Sequence, residues 1–325
     1  MNIAIDYNPI HFPHGGSTAS LIITTEPVLN YLHQKRFPRQ ATVLAPSLDE
    51  RELQTWLDNL PSSESVVGVG GGMCMDVAKY VAWKRRIPLY LAPSVISVDA
   101  CLTETIAVRR GGRVVYVGEI YPEKVMIDFD LIQSAPKHLN RAGAGDILSI
   151  HTALFDWKLA HERTDEKYDA FIAEQSEELL RRLVVAAEEI KNVTQAGIRE
   201  LVALYAAEVD LCHLMKNSRP EEGSEHFWAY NAEYLTGKSF VHGELVALGV
   251  ILLSHWQGNQ PDWIRKQIER LGVRWRPEEI GLDHRELISS MVTAQAYVTE
   301  MKLPYSIINE IDISEQRVAE IAAGW

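Results

Sequence analysis

Three residues of the types that build a catalytic metal centre stand far apart in this sequence. Asp146 lies in "AGAGDILSIHTA", where a glycine-rich turn predicts the start of a helix. His226 lies in "NSRPEEGSEHFWAYN" and His242 in "TGKSFVHGELVALG". The break at Thr236-Gly237 between the two histidines predicts that they occupy the ends of successive helices. Two imidazoles and one carboxylate leave coordination positions open, the donor set of a catalytic site for zinc or a similar divalent ion. The long spacing leaves another reading open, with Asp146 as a helix N-cap and both histidines as hydrogen-bonders at helix ends.

A second chemistry is offered by "SVVGVGGGMCMDVAKYVAWKRRIPLYLAPS", which runs from Ser65 to Ser94. Gly70, Gly71 and Gly72 follow an apolar strand pattern and precede a helix pattern beginning near Met73. Backbone N–H groups at such a helix start can bind an anion, and the missing side chains admit a pyrophosphate to hydrogen-bond distance. The spacing matches neither Gly-x-Gly-x-x-Gly nor the P-loop, so a tight strand-to-helix turn with no ligand is equally open. Asp76 and Lys79 follow one turn apart on the new helix, and each has an ordinary reading as a helix residue.

Of the eleven histidines, His11, His14, His33, His161, His255 and His284 have structural readings. His151, His138 and His213 are runners-up for the site. His151 stands a little over one turn beyond Asp146, on a neighbouring helix face that could reach the same cleft. Asp99, in "APSVISVDACLTET", follows a strand ending at Pro93; it either faces a ligand cleft or caps a turn.

The elements that must position these groups fall into two halves. "SLIITT", "ATVLAP", "SVVGVG" and "PLYLAP" read as strands, and "EPVLNYLHQKR", "DERELQTWLDNL" and "MDVAKYVAWKRR" between them read as helices. That alternation predicts crossover connections and a mostly parallel sheet. "TETIAVRRGGRVVYVGEIYPEKVMID" predicts a hairpin turning at Gly111-Gly112, then a strand at "KVMID". From about Asn140 the patterns are long, helical and strand-free. The fold class expected is an N-terminal α/β domain, residues 1–139, with a mostly parallel sheet. An all-α domain, residues 140–325, follows, with the ligand cleft expected between them.

The 325 residues are 46% hydrophobic and 23% charged, which suits a soluble two-domain protein. A net charge of -12 argues against binding polyanions such as nucleic acid or a membrane surface. Three cysteines without paired spacing suit a reducing compartment. "MNIAIDYNPIHFPHGG" lacks the basic and apolar regions of a signal peptide, and no apolar run reaches membrane-spanning length. The expected location is the cytoplasm.

Taken in order, "GVGGGMCMDVAKYVAWKRRIPLYLAPSVISVDA", "APKHLNRAGAGDILSIHTALFDWKLA", "NSRPEEGSEH" and "HGELVALG" resemble the superfamily of iron-type alcohol dehydrogenases, glycerol dehydrogenases and dehydroquinate synthases. "SRPEEGSEH" and "AGAGDILSIHTALFDWKLA" resemble its sn-glycerol-1-phosphate dehydrogenase branch, and the resemblance covers about Val66 to Gly249. It implies one divalent metal (zinc, with nickel or iron as alternatives) on Asp146, His226 and His242. It implies NAD(P)H held by Gly70, Gly71, Gly72, Asp76, Lys79, Ser94, Ser97 and Thr103, and Asp99 beside the substrate hydroxyls. The implied reaction is reduction of a small phosphorylated ketone, dihydroxyacetone phosphate to sn-glycerol 1-phosphate, with the metal as Lewis acid on the carbonyl and His151 as a candidate for the proton relay. A homo-oligomer is implied as well.

The resemblance implies that the α/β domain is nucleotide-binding and the all-α domain metal-binding and catalytic, and the chain departs from the family pattern in a shortened first domain. Between "ATVLAP" and "SVVGVG" there is room for one helix and no further strand, and no acid stands directly at the end of "ATVLAP" to bind a ribose. Ser47 and Asp49 are the nearest candidates. Arg109, Arg110, Lys137, Arg141 and Arg219 are the cations near the motifs that a substrate phosphate would need. The alternatives are a reductase of an unphosphorylated polyol or ketose, a sugar-phosphate cyclase of the dehydroquinate synthase kind, and a non-catalytic binding protein.

Overall fold

A computed structural model describes residues 3–10, 20–34 and 41–325. His11 and His14, and the last residues of the helix expected at "EPVLNYLHQKR", lie outside the described residues. The chain divides into two compact units, Met1–Asn140 and Arg141–Trp325.

The first unit holds a six-stranded parallel sheet. Its strands are β1 (Ile5–Asp6), β2 (Ser20–Thr24), β3 (Thr42–Leu44), β4 (Ser65–Gly70), β5 (Leu89–Pro93) and, after a hairpin, β8 (Lys124–Met126), in the order β1-β8-β5-β4-β2-β3. The helices α1 (Glu26–Gln34), α2 (Glu50–Asp58) and α3 (Gly72–Arg85) connect successive strands, and α4 (Phe129–Ser134) follows β8. Every residue of β4 is buried, which is why it reads as a continuous apolar run rather than an alternation. The two-residue β1 is too short to leave a pattern in the sequence.

The chain leaves β2 toward β3 on one flank and leaves β4 toward β5 on the other. The adjoining C-terminal ends of β2 and β4, where Thr24 pairs with Val69, are therefore the point at which the winding reverses. Open α/β sheets bind ligands at that point.

The hairpin β6 (Thr105–Arg110) and β7 (Arg113–Glu119) turns at Gly111 and Gly112, with φ of +60° and +79°. Positive φ at both central residues is what a tight two-residue hairpin turn of this twist requires, and glycine adopts it without Cβ strain.

The second unit is helical: α5 (Lys137–Leu148), within which the division falls, α6 (Ile150–Arg163), α7 (Ala170–Val185), α8 (Ala187–Asn192), α9 (Gln195–Met215), α10 (Ser224–Thr236), α11 (His242–Gln257) and α12 (Pro261–Leu271), then shorter helices to Ala323. Gly243 to Ser254 of α11 are all buried, so this apolar helix lies within the core of the unit. Among the described residues no helix is long and apolar enough to cross a membrane.

Candidate metal centre and glycine turn

Asp146 is not at a helix start. Helix α5 continues through Gly143 and Gly145, and Asp146 occupies its last turn. Gly145, one of the glycines that suggested a turn, serves a close approach instead. A Cβ on Gly145 would lie 1.9 Å from the carbonyl oxygen of Gly243, at the start of α11. The helix then breaks at Ser149, whose hydroxyl lies 2.6 Å from the Asp146 carbonyl and 2.5 Å from that of Glu221 in the segment before α10.

His226 is the third residue of α10 and His242 the first of α11. Helix α10 carries the chain about 15 Å beyond His226. Gly237, with φ of +65°, ends it, and the connection to His242 can span about 20 Å, enough to return. Both imidazoles come to one carboxylate oxygen. The Nε2 atoms of His226 and His242 each lie 3.4 Å from Asp146 Oδ1, and the ring centroids are 5.1 Å apart. One ligand atom from each of the three residues falls within 4.8 Å of the others.

A separation of 3.4 Å is long for a hydrogen bond. It is close to the roughly 3.3 Å between two ligands of a tetrahedral zinc with bonds near 2.0 Å. The donor set and its spacing therefore fit a divalent ion. The charges fit too. Burial alone would push the Asp146 carboxyl up, but the two histidines outweigh it and hold the group well below the ordinary carboxylate range. Burial pulls the His226 imidazole down, and Asp146 with Glu225 reverses that and raises it well above its ordinary value. Glu225 was not among the residues singled out from the sequence, yet its carboxylate is fully buried against His226.

In the first unit, the glycine turn sits at the winding reversal described above. Cβ atoms on Gly70 and Gly72 would lie 2.6 Å from the Cys74 Cβ and 2.9 Å from Val98 Cγ2, so the turn admits no side chain there without rearrangement. Gly71 caps α3 without a side-chain hydrogen bond, whereas Asp49 and Asp128 cap α2 and α4 with their carboxylates. Uncapped N–H groups at the end of a parallel strand suit a phosphate. Ser94 N donates to Gly70 O at 2.8 Å, which ties the end of β5 to the turn. Ser97 and Asp99 follow on the same loop, both half-buried, and Asp99 O accepts from Leu102 N and Thr103 N. The Thr103 hydroxyl lies 3.1 Å from that of Thr105.

Lys79 and Asp76 stand apart from the other residues that the resemblance assigns to the cofactor, because Lys79 is engaged with Asp76 itself. Lys79 is fully buried, paired with Asp76 at 2.8 Å, and donates to Thr105 O at 2.6 Å. Asp76 accepts from Ala107 N. The pair fastens α3 to β6: one edge of β6 pairs with β7, Arg109 N near its end donates to Leu48 O, and Lys79 and Asp76 satisfy Thr105 O and Ala107 N.

His151 is likewise turned to another task. Its Nε2 lies 2.7 Å from Asn259 O and its ring packs on Trp263, so it holds the junction of α11 and α12 rather than a proton relay at Asp146. Arg219 and Arg110, two of the candidate cations, have carboxylate partners. Buried Arg219 forms a two-pronged pair with Glu166 at 2.6 and 2.8 Å, and Arg110 pairs with Glu50 at 2.7 Å. Arg141 donates to Lys191 O. Of the ribose candidates, Asp49 accepts from Arg51 N and Glu52 N as the cap of α2, and Ser47 donates to Glu52.

The sequence model of the iron-containing alcohol dehydrogenase family matches residues 23–136. A glycerol-1-phosphate dehydrogenase [NAD(P)+] of Hyperthermus butylicus is 30% identical over 262 residues, which cover 80% of this chain and 74% of that protein. One of Sulfolobus acidocaldarius is 28% identical over 291 residues, 89% of this chain and 82% of that protein. Among solved structures, a probable glycerol dehydrogenase from Sinorhizobium meliloti superposes with a TM-score of 0.69 at 18% identity, covering 94% of this chain and 90% of that one. An iron-containing alcohol dehydrogenase from Corynebacterium glutamicum gives 0.69 at 15% identity, covering 99% and 94%. At these identities the superpositions establish the fold.

Proposed function

The chain belongs to the glycerol-1-phosphate dehydrogenase family of the iron-containing alcohol dehydrogenases, and from that premise we propose that it is a metal-dependent, NAD(P)-linked oxidoreductase interconverting dihydroxyacetone phosphate and sn-glycerol 1-phosphate. The observation that carries the reading is the convergence of Asp146, His226 and His242 on one point. Three protein ligands are the number of a catalytic rather than a structural zinc site, because they leave room for substrate oxygens. A divalent ion held there supplies Lewis acidity that favours negative charge on a substrate oxygen. Zinc is the ion we assign; the same donors accept nickel and iron.

Asp146 contributes the one anionic donor, and His226 and His242 contribute neutral Nε2 atoms. Gly70, Gly71 and Gly72 receive the cofactor pyrophosphate at the uncapped start of α3, with Ser94 and Ser97 on the adjoining loop. In the reductive direction a bound NAD(P)H would supply hydride to the carbonyl carbon, with water as the proton source for the oxygen. The ketone is reduced as the cofactor is oxidised. Asp99 is the carboxylate we place beside the substrate hydroxyls. Use of either dinucleotide fits the engagement of Asp49 as the cap of α2, since that carboxylate is then not held out toward a 2′-phosphate. A homo-oligomer in a reducing compartment, the cytoplasm, completes the reading, in keeping with the free buried thiols of Cys74 and Cys101.

The test follows NADH and NADPH absorbance with dihydroxyacetone phosphate and with dihydroxyacetone, measuring phosphate release alongside. Oxidation of the cofactor in step with the phosphorylated ketone, without phosphate release, is the result expected. Oxidation with the unphosphorylated ketone alone would move the substrate to a free polyol. Release of phosphate with no net change in the cofactor would replace the reading with a sugar-phosphate cyclase.

A further inference from the structure

Neighbouring residues on a helix point about 100° apart and do not ordinarily touch. Glu225 and His226, in the first turn of α10, do. Glu225 Oε1 lies 2.9 Å from His226 Nδ1, on the side of the ring away from Asp146. The same carboxylate is held from two further directions: Gly223 N donates to Oε1 at 2.7 Å, and the Thr152 hydroxyl, from α6, donates to Oε2 at 2.7 Å. Glu225 is fully buried.

An acid in the first turn of a helix is favoured by the helix dipole, but that benefit is available at the surface. Burying the carboxylate costs several kcal/mol unless it is hydrogen-bonded and paired. Here its two oxygens are engaged by one backbone amide, one hydroxyl and the imidazole. A histidine that offers Nε2 to a metal must carry its proton on Nδ1, and a carboxylate on that side fixes both the proton and the plane of the ring.

We propose that Glu225 is the positioning residue of His226, with Thr152 holding Glu225 in turn; the inference rests on Asp146, His226 and His242 being metal ligands. Glu225 keeps the Nδ1–H tautomer and aims Nε2 at the point the three ligands share. Thr152 links that orientation to α6, the helix that follows Asp146.

The test is a zinc competition titration with a chromophoric chelator on the metal-stripped full chain, comparing wild type, Glu225→Ala, Glu225→Gln and Thr152→Val. Thermal unfolding of each metal-free protein is measured in parallel. Glu225→Ala should bind zinc about 10- to 100-fold more weakly, the usual effect of losing such a partner. Glu225→Gln should recover most of that loss and stay within about tenfold of wild type. Its carbonyl still accepts from Nδ1 and Gly223 N while its amide donates to Thr152, and only the charge assistance is gone. Thr152→Val should fall between the two.

Wild-type affinity in Glu225→Ala overturns the proposal. So do equal losses in the Ala and Gln variants that track a fall in metal-free stability, because Glu225 then only holds the first turn of α10. If Glu225→Ala does not fold, the decision passes to Thr152→Val, and unchanged zinc affinity there overturns the proposal. A wild-type chain that takes up no zinc strikes the metal-centre reading itself, so the two failures are distinguishable.

Discussion

Gly145 and Gly243 meet backbone to backbone: a Cβ on Gly145 would sit 1.9 Å from the Gly243 carbonyl oxygen. Asp146 is the residue after the first and His242 the residue before the second, and their side chains lie 3.4 Å apart. The approach of two helix ends thus sets the spacing of two candidate ligands.

Gly145→Ala follows from that contact. The obstacle is backbone, which cannot swing aside, so α5 and the start of α11 must separate. Overpacking of this kind costs about 1–3 kcal/mol, and the shift should also weaken zinc binding. Denaturant unfolding of the metal-free variant and a zinc titration check the two effects. Unaltered zinc affinity would show that the glycine contact does not set the ligand spacing.

Lys79→Met should destabilise the first unit. It leaves Asp76 buried without its cation and Thr105 O without its donor. Breaking a buried pair from one side costs about 3–5 kcal/mol, read from the denaturation midpoint. A loss no larger than that of an exposed pair would mean that β6 is held some other way.

Gly72→Ala should weaken the cofactor without touching the metal. The new methyl would lie 2.9 Å from Val98 on the loop after β5. The expected change is about tenfold in NADH dissociation constant, ~1.4 kcal/mol, by fluorescence titration, with zinc affinity held. Equal cofactor affinity in variant and wild type would count against the glycine turn as the pyrophosphate site.

What the sequence disclosed, and what it hid, follows one physical division. The strand ends, the glycine turn and the Gly111-Gly112 hairpin were legible because each is decided by residues adjacent in the chain. Gly145 misled, since glycine serves close packing as well as turns, and only the position of Gly243 tells which. Arg219 read as a cation near the motifs until Glu166, 53 residues away, was found beside it. Nothing in "PEEGSEH" singles out Glu225; Thr152, 73 residues away, holds it inside the core. Partners at such separations leave no spacing to read.

Asp156 carries a pH dependence of stability. It is fully buried in α6 and accepts from Ser224 N at 2.8 Å and Ile307 N at 2.7 Å. Burial, with Glu225 adding to it, pushes its carboxyl from 3.8 up to about 6. The folded chain therefore keeps a proton that the unfolded chain releases. This contribution to stability is full below about pH 4 and is lost as pH rises through about 6. It amounts to about 3 kcal/mol. In metal-stripped protein, the stability of wild type relative to Asp156→Asn should fall by about that much between about pH 4 and about pH 7. A difference constant over that range, or growing with pH, would contradict the assignment.

The central claim is that Asp146, His226 and His242 hold one ion on which turnover depends. The most direct test measures bound metal per chain and NAD(P)H oxidation with dihydroxyacetone phosphate on the same samples, as zinc is returned to chelator-treated wild type and His242→Ala. The account predicts that activity rises in proportion to zinc up to one ion per wild-type chain, and that His242→Ala neither retains the ion nor turns over. Full turnover by metal-free wild type, or by His242→Ala, would contradict it.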